Sequence, residues 1–167
     1  FNLSGEGEGD VLDHEIMIAA DAFTEIDREF IPTGALPPVA GTALDFTSYK
    51  PIGKDIGSDW DQIVMAGGYD HNFVLKKDAA PKVSVRSPKT GIQMDMDTNC
   101  PGVQFYTANG LDGSITGKSG RPYGKHGGFC LETQFFPDSV NQPSFPSCTV
   151  SKDSPMELFT TYRFSVF

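Results

Sequence analysis

Apolar and polar residues alternate along much of this chain with a period of two, which is the mark of strands that bury one face. Apolar residues take every second position from Val83 to Val85 and again at Ile92, Met94 and Met96. The intervening Ser87–Gly91 carries the Pro and Gly of a turn, so the segment predicts a β-hairpin. Further strands are predicted at His14–Ala19, Asn72–Lys76, Val103–Thr107, Gly127–Glu132 and Leu158–Phe167, where Phe, Tyr and Thr raise the preference for β structure. Helical periodicity is nearly absent. A single turn fits around Thr47–Ile56, kept short by Pro51 and Gly53. With 18 Gly and 12 Pro, the connections are long and shaped by specific residues. The predicted fold class is all-β, an antiparallel β-sandwich.

Composition narrows the function. A chain of 167 residues with 38% hydrophobic and 21% charged residues suits one globular domain over 1–167. The net charge of -9, with no offsetting run of Lys or Arg, argues against nucleic acid and anionic lipid as partners. No apolar run approaches the roughly 20 residues needed to cross a bilayer. The opening FNLSGEGEGD has neither a basic nor an apolar segment, so no membrane and a cytoplasmic location are expected. Cys100, Cys130 and Cys148 are odd in number and lack close spacing, which predicts reduced thiols. Together with the scattered His14, His71 and His126 they show no metal-ligand spacing, and no metal or cofactor is expected. The glycine pairs Gly67–Gly68 and Gly127–Gly128 open no predicted helix and make no phosphate loop, and GEGEGD at Gly5–Asp10 is a solvated loop.

Three windows carry candidate chemistry. In KHGGFCLETQFFPDSVNQPSFPS, Lys125–Ser147, small and apolar residues lead to Glu132, which is expected to end a buried strand with its charge in a polar pocket or at a solvated edge. Prolines 137, 143 and 146 then predict a long ordered loop. A Glu in this setting is also the usual rim residue or ion-pair partner. In GGYDHNF, Asp70 stands at the entrance to a strand, where an Asp more commonly satisfies backbone donors. In PGVQFYTAN, alternation puts Gln104 and Tyr106 on one face and Val103, Phe105 and Thr107 on the other. That polar face suits either a ligand or plain solvent.

Taken in order, FNL, DHE, FIPTG, PVAGTALDF, PIGKDI, GGYDHNF, PGVQFYTANGLDG and the Glu132 segment with its PDSVNQPSFPS tail resemble the galactose mutarotase (aldose 1-epimerase) family over essentially the whole chain. The resemblance implies a mutarotase-like sandwich that interconverts α and β anomers of a free hexose such as galactose or glucose. It further implies that Glu132 is the general base and that Asp70 and Gln104 hydrogen-bond the sugar hydroxyls. The chemistry is consistent: a carboxylate accepts the anomeric proton, an Asp accepts from two hydroxyls, and a Gln both donates and accepts. Tyr106 and Phe135 are candidates to pack on the sugar ring, although most aromatics of a sandwich are core. Lys118, Arg121 and Lys125 form no cluster of the kind a sugar phosphate requires.

The sequence also departs from the family. Members carry a histidine, the expected general acid, shortly before the Phe-Asn-Leu with which this chain opens, and an Arg and another His earlier still. His14, His71 and His126 match none of these positions. The resemblance is therefore to the carboxy-terminal half of a mutarotase domain, with a partial sandwich, exposed sheet edges and little or no activity expected of the chain alone. A separate chain supplying the amino-terminal half, a fragment of a longer product and a natural truncation are the origins it allows. The start at Phe points to a fragment. Two other classes stay open: a noncatalytic carbohydrate-binding sandwich, and a glycoside hydrolase that would use Asp70 and Glu132 as its carboxylate pair.

Overall fold

Alternation along the strands sorts the side chains of the computed structural model, which describes residues 1–167, into two facing antiparallel sheets. The first sheet has β1 (Glu15–Ile18), β3 (Lys50–Pro51), β5 (Val83–Ser87), β6 (Ile92–Thr98) and β9 (Thr160–Val166), in the order β3-β1-β5-β6-β9. The second has β2 (Ala20–Phe23), β4 (Asp70–Leu75), β7 (Gly102–Tyr106) and β8 (Cys130–Gln134), in the order β2-β4-β7-β8. β1 and β2 are one run of chain that changes sheet at Ala19, whose N–H and C=O bond to Lys82 and Lys76. The predicted hairpin is β5–β6, in register from Val83↔Met96 to Ser87↔Ile92.

The inner faces of the two sheets form one core. Ile16, Ile18, Val83, Val85, Met94 and Met96 from the first meet Phe23, Phe73, Val103, Phe105 and Leu131 from the second. Phe105 is the hub of the aromatic part. It stacks on Tyr69 at 5.5 Å and 21°, and it meets Phe46 edge-on at 5.6 Å, with Phe73 and Phe129 each 6.5 Å away. These offset and edge contacts are the favoured aromatic geometries.

β8 and β9 are the last strands of their sheets on the same side of the sandwich, tied to each other by Tyr162 Oη donating to Leu131 O at 2.9 Å. On β9, Phe164 and Val166 pair with Met94 and Ile92, yet they are 59% and 82% exposed because no further strand of the opposite sheet reaches over them. The expected open edge and uncovered apolar surface are thus located here.

Several elements differ from the sequence reading. The turn within Thr47–Ile56 is a 3-10 turn at Ile52–Lys54, and a helix not predicted, α1 (Asp61–Ala66), follows it. At six residues α1 is too short to show a 3.6-residue period, and Gly67 ends it in the left-handed conformation, with φ 67°. β2 was also missed, since Ala20–Phe23 lacks β-branched residues and has a register shift between Ala20 and Ala22. β8 starts three residues later than expected and runs to Gln134, because its ladder with β7 begins at Cys130. No helix is long and apolar enough to cross a membrane.

Truncating Phe105 to Ala would remove the hub of the aromatic cluster. Urea unfolding should show a loss of about 3–5 kcal/mol.

His71 of β4 lies wholly buried, edge-on to Phe23 at 5.9 Å, and its Nε2 has no partner. Burial pushes its pKa down to about 4, from an ordinary value of 6.5. The unfolded chain therefore takes up this proton first as pH falls. The associated stability is complete above pH 6.5 and declines toward pH 4, by up to roughly 3 kcal/mol. Unfolding midpoints measured from pH 7.5 to 4 should show this loss, and a His71→Leu chain should have the flatter profile.

Candidate functional site

On the outer face of the second sheet, register alone aligns three polar side chains. Asn72 on β4 pairs with Gln104 on β7, and Gln104 pairs with Glu132 on β8. Asp70 lies one same-face step along β4, and Gln134 one step along β8. Their inward neighbours His71, Phe105 and Leu131 are buried in the core, so packing on one face fixes which residues point out on the other.

Hydrogen bonds join these groups into a connected floor. Gln134 Nε2 donates to Asn72 Oδ1 and Gln104 Oε1, both at 3.2 Å. Gln104 Nε2 donates to Asp70 Oδ1 at 2.8 Å, and Asn72 Nδ2 donates to Thr24 Oγ1 at 2.7 Å. Each amide thereby has its oxygen and nitrogen assigned by its neighbour. The Gln104 bond falls on Oδ1 of Asp70 and leaves Oδ2 outside this network. Glu132 is exposed on β8, the open edge of the sheet.

A cavity of about 220 Å³ stands over this floor, with Thr24, Asp70, Asn72, Gln104, Glu132 and Gln134 below. Its wall is apolar, made by Ile26, Phe30 and Pro32 from the loop after β2 and by Pro137 from the loop after β8. The buried Gln62 of α1 grips the first of these loops, accepting from Ile26 N at 3.1 Å and donating to Ile26 O at 2.8 Å. From the other side, Gln142 Nε2 donates to Pro32 O at 3.2 Å. Beside Glu132, the Cys130 thiol is pushed up by burial and then by the Glu132 charge, which keeps it protonated.

All three expected residues, Asp70, Gln104 and Glu132, line this one cavity. Glu132 is the middle residue of β8 rather than the end of a buried strand, and its charge stands at the solvated sheet edge that was one of the two settings expected for it. Neither Tyr106 nor Phe135 lines the cavity, where Phe30 is the aromatic. Tyr106 instead directs its hydroxyl to accept from Gly110 N at 3.1 Å. The three histidines are elsewhere: His71 is in the core, His14 Nε2 accepts from Leu3 N at 3.0 Å, and His126 Nδ1 lies 2.8 Å from Thr107 O. No group of three or more His, Cys, Asp or Glu is placed to hold a metal.

Asn72 and Gln134 were not foreseen. The signal for them was available, since each is two residues from a named one on the same strand, Asp70 and Glu132. Gln62 had no such signal, and although Phe30 and Pro32 belong to the FIPTG motif, nothing local placed that loop at the cavity.

Gly102 leaves the room that the floor requires. A Cβ there would collide with Asn72 Oδ1 and lie 3.0 Å from Phe136 Cδ1. Gly102→Ala should cost about 1–3 kcal/mol in chemical denaturation, because the displaced Asn72 loses its bonds to Gln134 and Thr24.

A sequence model of the aldose 1-epimerase family matches residues 1–163. A rat (Rattus norvegicus) protein named galactose mutarotase is 45% identical over 168 residues, covering 99% of this chain and 48% of the relative. The Escherichia coli (strain K12) aldose 1-epimerase is 37% identical over 169 residues, covering 98% and 48%. Among solved structures, a GalM/aldose epimerase homologue from C. elegans superposes with a TM-score of 0.77 at 27% identity, over 96% of this chain and 48% of that one. The galactose 1-epimerase of Lactobacillus acidophilus, at a TM-score of 0.74 and 24% identity, shares the fold. The chain spans about half the length of the relatives it matches. Two galactose mutarotase-like sheets and a sequence match from residue 1 to residue 163 lead to one conclusion: the chain belongs to the aldose 1-epimerase family.

Proposed function

We propose that this chain forms the carboxy-terminal half of a mutarotase, an enzyme that interconverts the α and β anomers of a free hexose, with Glu132 as general base and Asp70 and Gln104 as hydroxyl-binding residues. The observation that carries the reading is their convergence on one small cavity whose floor is a preorganised hydrogen-bond network. The cavity, about 220 Å³ and open on the β8 side, has room for one sugar ring. Two carboxylates and four uncharged polar residues make a floor for a neutral polyol.

In this reading Glu132 removes the proton of the anomeric hydroxyl while an acid protonates the ring oxygen. The C1–O5 bond breaks, the anomeric oxygen becomes an aldehyde oxygen, and rotation about C1–C2 lets O5 attack the other face. Asp70 Oδ2 and the second amide hydrogen of Gln104 hold adjacent sugar oxygens, one as acceptor and the other as donor. Holding the sugar on a fixed floor supplies the alignment that a weak carboxylate base requires.

The acid is the part this chain does not supply at its cavity. We infer that it comes from the remaining length of the family domain, seated along the β8–β9 side. Glu132 is on that edge strand, and Phe164 and Val166 are uncovered beside it. A complementary half packed there would bury this apolar surface and bring an acid toward the open side of the cavity.

The test is anomeric exchange of α-galactose, followed by polarimetry or exchange NMR, for the chain alone and with the amino-terminal half of rat galactose mutarotase. The chain alone should be nearly inactive, and the completed assembly should gain rate. Glu132→Gln in that assembly should lower turnover by about 10²–10⁴-fold with sugar affinity retained. Full activity of the Gln variant would remove Glu132 as base, and unchanged affinity with no turnover in any assembly would favour a noncatalytic sugar-binding module.

A further inference from the structure

Phe30 is an anomaly that the floor of the site does not account for. It is a bulky residue with φ 64°, in the left-handed region that favours glycine, and it is 50% exposed. Its loop nonetheless holds it firmly. Asp27 Oδ1 accepts from the N–H groups on either side, Glu29 at 2.8 Å and Ile31 at 3.0 Å, while Phe30 N donates to Asp27 O at 3.1 Å. Ile26 and Pro32 bridge across the loop, and Gln62 and Gln142 anchor it from two other elements. An exposed aromatic in a costly backbone conformation, held beside a polar cavity by these contacts, is an arrangement that folding alone would not favour.

We propose that Phe30 is the aromatic platform of the sugar site, receiving the C–H face of a pyranose whose hydroxyls are held by Asp70 and Gln104; this rests on the reading of the cavity as a hexose site. A pyranose has both chemistries, with hydroxyls around its rim and C–H groups on its faces. The cavity answers both, with a hydrogen-bonding floor and a wall of Phe30, Ile26, Pro32 and Pro137. Among the wall residues Phe30 alone offers a π face, and stacking of C–H groups on such a face adds to plain burial. The strained φ sets where that face stands. Phe30 is a positioning and affinity residue, since it has no group to exchange a proton with the sugar.

The probe is methyl β-galactopyranoside, which has no free anomeric hydroxyl and so reports binding without ring opening. It is titrated by NMR against the chain, alone and together with the amino-terminal half of the rat relative. Binding should move the C–H protons of one sugar face upfield by the ring current of Phe30. Phe30→Ala should abolish that shift and weaken binding by about 3- to 10-fold, whereas Phe30→Tyr should keep both. Phe30→Gly should raise the melting temperature by relieving the backbone while weakening binding as much as Ala does. Unchanged affinity and shifts in the Ala variant would overturn the platform and leave the hexose site standing. Failure of the unsubstituted protein to bind the glycoside in either form would overturn the hexose reading and the platform with it.

Discussion

The aromatic cluster around Phe105 is the contact on which the site depends. Phe105 stacks on Tyr69, immediately before β4, and is surrounded edge-on or tilted by Phe46, Phe73 and Phe129. These rings lock β7 against β4 and β8 from the inner side, and the pleat then sends Gln104, Asp70 and Glu132 out on the other side. A one-residue slip would bury all three polar groups and expose Phe105, at a cost of several kcal/mol for each group exchanged. The position of the candidate chemistry is a consequence of core packing.

The polar floor is held by a different physics. Its amides are oriented by mutual satisfaction, Gln134 fixing Asn72 and Gln104, and Gln104 fixing one oxygen of Asp70. A network of this kind is worth having only when complete, because a half-satisfied amide in a partly buried setting costs about what a good bond contributes. Gly102 belongs to the same design, since the missing side chain is the space into which Asn72 reaches. The amides of the floor are held by one another, while Glu132 stands at the exposed edge.

That edge gives the molecule its asymmetry. On the β2 side the cavity is closed by a loop pinned through Gln62 and Gln142, and on the β8 side it is open beside the uncovered Phe164 and Val166 of β9. Apolar area and an unpaired strand edge lie on the same flank as the open cavity, the flank on which the proposed complementary half would sit. The chain's span of about half its relatives' length accords with this.

By itself, the sequence determined the face that each residue takes along the regularly alternating strands such as β5, β6 and β7. The alternation of Val103, Gln104, Phe105 and Tyr106 separates core from site, and the ordered motifs around Asp70, Gln104 and Glu132 were enough to name the family and its three candidate residues. Periodicity of this kind is local, so it is legible along the chain. The helix α1 escaped because six residues hold fewer than two turns, and β2 because its register shift interrupts the alternation. Only the tertiary structure decided that Glu132 is exposed at an edge strand, that Gln134 and Asn72 complete the floor, and that Phe30, rather than Tyr106 or Phe135, is the aromatic at the cavity. Those outcomes depend on which strand ends a sheet and which distant loop folds over it. Such facts arise from contacts between residues 30 to 110 positions apart, and no local pattern encodes them.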